Sequence, residues 1–250
     1  MTAKHIPLQR TEDGDRSEFA FWREHTTIAL QPVAAPSILG FYGLAAATFM
    51  VGANMVGWYG NGITTPLTLF PFALAFGGIA QLLAAMWAYR ARDGLATAVH
   101  GTWGSFWIGY GIYYLLVAVH VLPVLAVGAD TRVAFGYWFI VLAAITWVSF
   151  VAALAENFAT SLVLLALSAG STLLAIGLTV GFSPVVIVGA YFLIAAAVLA
   201  WYAASAMVLS ASTSRVVLPM GQHGVPQRPG SLVRQPIQYE AGEPGVKSGQ

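Results

Sequence analysis

Long apolar stretches alternate with short polar breaks along the chain. No Asp, Glu, Lys or Arg occurs at residues 25–89, 94–129, 133–155 or 157–214. A spanning helix needs about 20 apolar residues. The first and last stretches each have room for two such helices and the middle two for one each, so the pattern predicts six. The expected helices cover residues 37–59, 67–89, 97–122, 134–154, 159–180 and 184–209. Pro36 precedes the first, with Ser37 as its cap. The first break holds Gly60, Asn61, Gly62, Thr64, Thr65 and Pro66. Asp130 and Arg132 are expected in the loop before helix 4, and Glu156 at that helix's end. Gly181, Phe182 and Ser183 form the last turn, with Pro184 opening helix 6.

These spans predict an all-α, polytopic membrane protein with one six-helix bundle over residues 36–210. Residues 1–35 form a polar tail, and the segment after residue 222 (223–250) is rich in Gly, Pro, Gln and Ser and is expected to be disordered. Lys and Arg fix the orientation. The first tail carries Lys4, Arg10, Arg16 and Arg23, the helix 2–3 loop Arg90 and Arg92, and the last segment Arg215, Arg228, Arg234 and Lys247. The opposite side has only Arg132. Both termini are therefore expected in the cytoplasm, with the bundle in the cell (plasma) membrane.

Composition agrees: 58% of the residues are hydrophobic and 8% charged, against about 25% charged in soluble domains. With no cysteine, disulfides, thiol nucleophiles and thiolate metal sites are excluded. No basic run suggests nucleic acid. No nucleophile–base pair or metal-ligand set is visible, so neither an enzyme nor a cofactor is expected. The spans hold no Lys for a retinal Schiff base and no carboxylate relay for a proton pump. His100 and His120 both fall on helix 3, about 30 Å apart along its axis, too far to share a ligand. Each is ordinarily a helix-end histidine, and His100 is the candidate for proton handling.

The stretch at residues 100–114, HGTWGSFWIGYGIYY, is the chain's most unusual. Trp103, Phe106, Trp107, Tyr110 and Tyr114 follow three- and four-residue steps and form one stripe, beside which Gly101, Gly104 and Gly111 leave room. Thr102 and Ser105 add hydroxyls. Asn54 and Gln81 are the other strongly polar groups at expected depth, where an amide is costly unless hydrogen-bonded. Such groups either tie helices together or line a narrow wet path. Small residues recur at Gly40 and Gly43, at Ala73, Gly77, Ala80 and Ala84, and at Ala196, Ala200 and Ala204, which suits close packing within one bundle or between subunits.

Several blocks, in order, resemble the acetate uptake transporters, or succinate–acetate permeases, of bacteria and fungi. They are Leu39–Gly43 (LGFYG), Asn54–Gly57 (NMVG), Phe76–Gln81 (FGGIAQ), Trp103–Trp107 (WGSFW), Leu173–Gly177 (LLAIG) and Arg215–Gly221 (RVVLPMG). The last lies in a family-like ending, residues 211–222. The family's opening Asn-Pro-Ala-Pro-Leu-Gly is here Ala35 to Gly40, without its Asn and second Pro. The resemblance implies a path for acetate and related small carboxylates, succinate included, through each protomer of a homo-oligomer, commonly a hexamer. It also implies a constriction that falls on Leu44, Trp103 and Leu167; the polar and aromatic groups read above, Asn54, Gln81, Thr102, Ser105, Phe106 and Tyr110, are the candidates for lining such a path. Channel conduction and proton-coupled symport both fit. So do a channel for a small neutral solute such as urea or ammonia, and a membrane sensor that transports nothing.

Overall fold

The structure is a computed structural model that describes residues 34–124 and 128–221. The polar tail expected before residue 34 and the disordered segment expected at 223–250 lie outside the described residues. The described elements form six helical rods: α1 (Ser37–Met55), α2 (Thr65–Ala91), α3 (Gly94–Ala118), α4 (Ala129–Ala153), α5 (Phe158–Val180) and α6 (Ser183–Thr213). Five are long and apolar enough to cross a membrane. The other, α3, has 25 residues, about 37 Å; its rings, glycines and histidine lower its hydropathy.

The helix ends depart from expectation for local reasons. α1 stops at Met55, not 59. Asn54 donates its amide to the Tyr59 carbonyl at 2.9 Å, and Gly57 adopts φ +79°, which together turn the chain back. Ser37 is the first helical residue rather than a cap; the capping position is Pro36 and has no side-chain bond. The position before α6 is likewise Phe182, not Ser183. α3 starts at Gly94 because the Asp93 carboxylate accepts from the Ala96 N–H at 2.8 Å. α5 starts at Phe158 because the Asn157 side chain accepts from the Thr160 N–H at 2.8 Å. Asp130 and Arg132 are in the first turn of α4, not in a loop, and the Arg132 guanidinium donates to the Leu178 carbonyl on α5.

α2 is irregular. Pro71 lies inside it, and Ala73–Ala80 is π-helical. Proline removes one helical donor, and π turns are rare and cluster at functional sites. Here the π segment packs against α1 and α3. A Cβ on Gly43 would lie 2.4 Å from the Phe76 carbonyl oxygen, and one on Gly77 would meet Ala47 and Trp107 at 2.5 and 2.6 Å. Ala196, Ala200 and Ala204 are fully buried on α6, and Gly52 of α1 faces Ile194 there. These small-residue rows therefore pack the protomer's own helices.

The rods follow one another around a ring: α1 packs on α2 and α6, α5 on α4 and α6, α3 on α2, and α3 meets α4 to close it. Among the described elements, no Cα of α5 comes within 8 Å of one in α1 or α3. The space between those three rods is filled by side chains alone.

Gly43→Ala should destabilise the protein by about 1–3 kcal/mol, because backbone must move to admit the methyl group. Gly109→Ala, with nothing within 4 Å of its Cβ position, should be neutral or mildly stabilising. Thermal unfolding of both variants in detergent checks the pair.

Candidate functional site

The odd-numbered helices run in one direction, and their first turns surround a cavity of about 250 Å³. Its rim includes Pro36 and Ser37 before and in α1, Asp93 before α3, and Glu156 and Asn157 before α5. Met207 of α6 and Met220 of the ending complete the wall. The ending is held in place by backbone: Phe158 N–H donates to the Gly221 carbonyl at 2.9 Å and Ala159 N–H to the Met220 carbonyl at 3.0 Å. The Tyr202 hydroxyl donates to the Pro219 carbonyl. Residues 215–221 thus cap α5 and wall the cavity, a role that their similarity to a family ending does not reveal.

Two opposed electrostatic influences meet here. Helix N-termini carry partial positive charge, and those of α1, α3 and α5 border the cavity. Asp93 and Glu156 bring carboxylates. Burial, with Asp93 nearby, pushes the Glu156 carboxyl above its usual range. Among the described residues, no Lys or Arg lines the cavity.

The floor is Phe41, His100 and Leu164, one from each odd-numbered helix. Three residues further along each helix, about one turn deeper, come Leu44, Trp103 and Leu167. Leu44 and Leu167 are 0% exposed and Trp103 is 1% exposed. The three residues on which the resemblance places a constriction are therefore buried about one helical turn beyond the cavity floor. Trp103 points inward, and its indole N–H donates to the Thr146 hydroxyl at 3.1 Å, which itself donates to the Leu142 carbonyl. That N–H is thus already engaged.

The aromatic stripe is a buried column. Trp103 meets Phe106 at 5.5 Å between centroids, Phe106 meets Trp107 at 5.0 Å and Phe139 at 5.4 Å, and Tyr110 meets Trp107 at 5.3 Å and Tyr114 at 4.7 Å. Ser105 is not in it. The 105 position shares the exposed face of α3 with Gly109 and Ile112, because a two-residue step from Trp103 turns the side chain away. Thr102 is half-buried. Asn54 is also misjudged by sequence: it is half-buried at the end of α1 and bonded to its own loop. His120 is exposed just past α3, with φ +62°.

Among the described residues, four buried side-chain polar atoms lack a partner: Thr48 Oγ1, Gln81 Oε1, His100 Nε2 and Trp107 Nε1. An unpaired buried polar atom costs about 1–3 kcal/mol, so four in one small bundle call for a reason. His100 lies on the cavity side of the Leu44–Trp103–Leu167 level, and Gln81 lies beside Gly43 next to that level. The Gln81 Cβ is 3.5 Å from where a Gly43 Cβ would stand, and the His100 ring is 2.5 Å from where a Gly40 Cβ would stand. Thr48 and Trp107 lie four residues beyond Leu44 and Trp103. The unpartnered atoms bracket the apolar level from both sides. Thr48 and Trp107 were not singled out as path residues by sequence, since Thr and Trp in a helix read as ordinary core.

A family model for the GPR1/FUN34/yaaH family matches residues 21–223. The chain belongs to this family. Acetate permease A of Emericella nidulans is 27% identical over 210 residues, covering 78% of this chain and 68% of that protein. The succinate-acetate/proton symporter SatP of Escherichia coli K12 is 26% identical over 192 residues, covering 76% of this chain and 96% of that one. The solved structure of the bacterial acetate channel SatP superposes with a TM-score of 0.68 at 22% identity, covering 76% of this chain and all of that one. The fold is shared, and the family member described here is a multi-pass membrane protein.

Thr146→Val should leave the Trp103 indole N–H buried without an acceptor and cost about 1–3 kcal/mol. Adding Trp103→Phe to Thr146→Val should recover part of that loss. A double-mutant cycle on detergent melting curves measures the coupling.

Proposed function

We propose that the protein conducts acetate and related small carboxylates, with succinate as a larger candidate, along a path between α1, α3 and α5 whose throat is Leu44, Trp103 and Leu167. The observation that carries this reading is the alignment of the cavity with the throat. The cavity ends on Phe41, His100 and Leu164, and the next turn of each of those helices presents one throat residue. The relatives named for acetate and succinate transport support the substrate class.

The chemistry suits a small monocarboxylate. Three helix N-termini can gather an anion at the cavity, where no Lys or Arg among the described residues would hold it tightly. A bare charge in an apolar throat is costly, so neutral donors and acceptors on either side of the throat, Gln81 and His100 then Thr48 and Trp107, ease the crossing. Phe106 and Tyr110 continue the path as an aromatic wall, with Thr102 at its margin. In this reading the cavity faces the cytoplasm, in keeping with the Lys and Arg distribution, and each protomer of a homo-oligomer, a hexamer by resemblance, carries its own path through the plasma membrane.

Labelled acetate uptake into liposomes carrying the purified protein tests the proposal. Uptake should exceed that of empty liposomes, and excess urea should not compete; uptake equal to empty liposomes would reject it. Leu167→Ala should raise the butyrate-to-acetate uptake ratio about tenfold, the scale set by a methylene or two in a fitted apolar slot.

A further inference from the structure

The pairing of His100 with Gln81 says which protonation state of the acid the path receives. The His100 ring is fully buried, with Gly40 against its face and Phe41 edge-on at 5.0 Å between centroids. A charge buried without a counter-ion is costly, and no charged side chain contacts this ring from α1, α2 or α3, so the ring is neutral. Gln81 Nε2 lies 3.4 Å from His100 Nδ1. An amide nitrogen only donates, so Nδ1 accepts and the ring proton sits on Nε2. The unpartnered His100 Nε2 is then a donor, and the unpartnered Gln81 Oε1 an acceptor. If the amide is turned over, Nδ1 donates to the amide oxygen, Nε2 becomes the acceptor, and the free amide nitrogen becomes the donor. Either way the pair offers one unused acceptor beside unused N–H donors.

A carboxylate brings only acceptors. It would leave the acceptor of this pair unsatisfied and place a lone-pair-rich oxygen beside it. A carboxylic acid brings an acceptor for one of those N–H groups and also an O–H donor for the pair's acceptor, which a carboxylate cannot supply. His100 forms the cavity floor and Gln81 is hydrogen-bonded to its ring, so an acid leaving the cavity meets the pair at the throat entrance.

We infer that His100 and Gln81 form a binding site for the un-ionised carboxylic acid, selecting it over the carboxylate at the entrance to the throat. This rests on the permeation reading and adds the chemical form of the solute. The helix ends gather the anion, a hydronium ion in the cavity gives it a proton and leaves as water, and the neutral acid passes on. Among the described residues, the titratable groups facing the cavity besides His100 are Asp93 and Glu156. Arg90 and Arg92, at the end of α2, do not line it; Arg90 lies 6.0 Å from the Trp87 ring centroid.

Acetamide tests the inference because it has the shape of acetic acid, carries one donor group and one acceptor, and does not ionise near neutral pH. Acetamide in excess should suppress protein-dependent uptake of labelled acetate, and labelled acetamide should bind the purified protein. His100→Leu and Gln81→Leu should each abolish both effects. At fixed total acetate, uptake corrected for empty liposomes should fall about tenfold from pH 6 to pH 7, following the un-ionised fraction of an acid with a carboxyl pKa near 4–5. The slope should persist in Glu156→Gln, which separates the floor pair from the rim carboxyl. Acetate uptake without acetamide competition, or with a rate that is flat between pH 6 and pH 7, would overturn the inference and leave the permeation reading standing. Acetamide binding that needs His100 and Gln81, without acetate uptake at either pH, would do the reverse.

Discussion

The approach of α1 to α2 at Gly43 sets the position of much else in the bundle. The Phe76 carbonyl occupies the place where a side chain on residue 43 would begin, so the two backbones meet with nothing between them. Such contact needs glycine on one rod, and on the other the π-helical Ala73–Ala80 presents the Phe76 carbonyl. With α1 and α2 this close, Gln81 comes beside Gly43, the His100 ring of α3 lies on Gly40, and the Trp107 ring lies on Gly77. The polar atoms near the throat are therefore positioned by backbone packing. They stay unpaired because a close-packed interior with few rotamer choices offers them no neighbour.

Charge is managed by omission. The rods contain no ionic pair at depth, and electrostatic influence comes from helix ends and from two carboxylates at the rim. Fixed dipoles of this kind act on a passing ion but form no deep well that would trap it. The apolar level behind the cavity is then a barrier to ions more than to small neutral molecules, and the donors and acceptors on either side lower it for a solute able to use both.

The six rods were legible because a bilayer demands about 20 uncharged residues per crossing, a constraint that four charge-free stretches satisfy. The inward aromatic stripe was legible from its three- and four-residue steps, since the helical period decides which residues share a face. Details governed by side chains a few residues away were harder to read. Asn54 seemed deep because the apolar run continues past it, yet its amide is spent on ending α1. Ser105 was grouped with its aromatic neighbours by chain proximity, although the helix turns it outward. Asp130 and Arg132 looked like loop because they are charged, but a first helical turn at the edge of an apolar run accommodates both. The meeting of Gln81 with His100 joins two helices 19 positions apart in sequence, and no pattern along one chain reports it.

The strand of chain after α6 folds back beneath the start of α5, where its last described carbonyls hold the first amides of that helix. Met220 contributes both one of those carbonyls and part of the cavity wall. Shortening the protein before this point would strip a doorpost from the entrance and loosen the lintel it supports, so the stretch that follows the final span is structural masonry of the doorway.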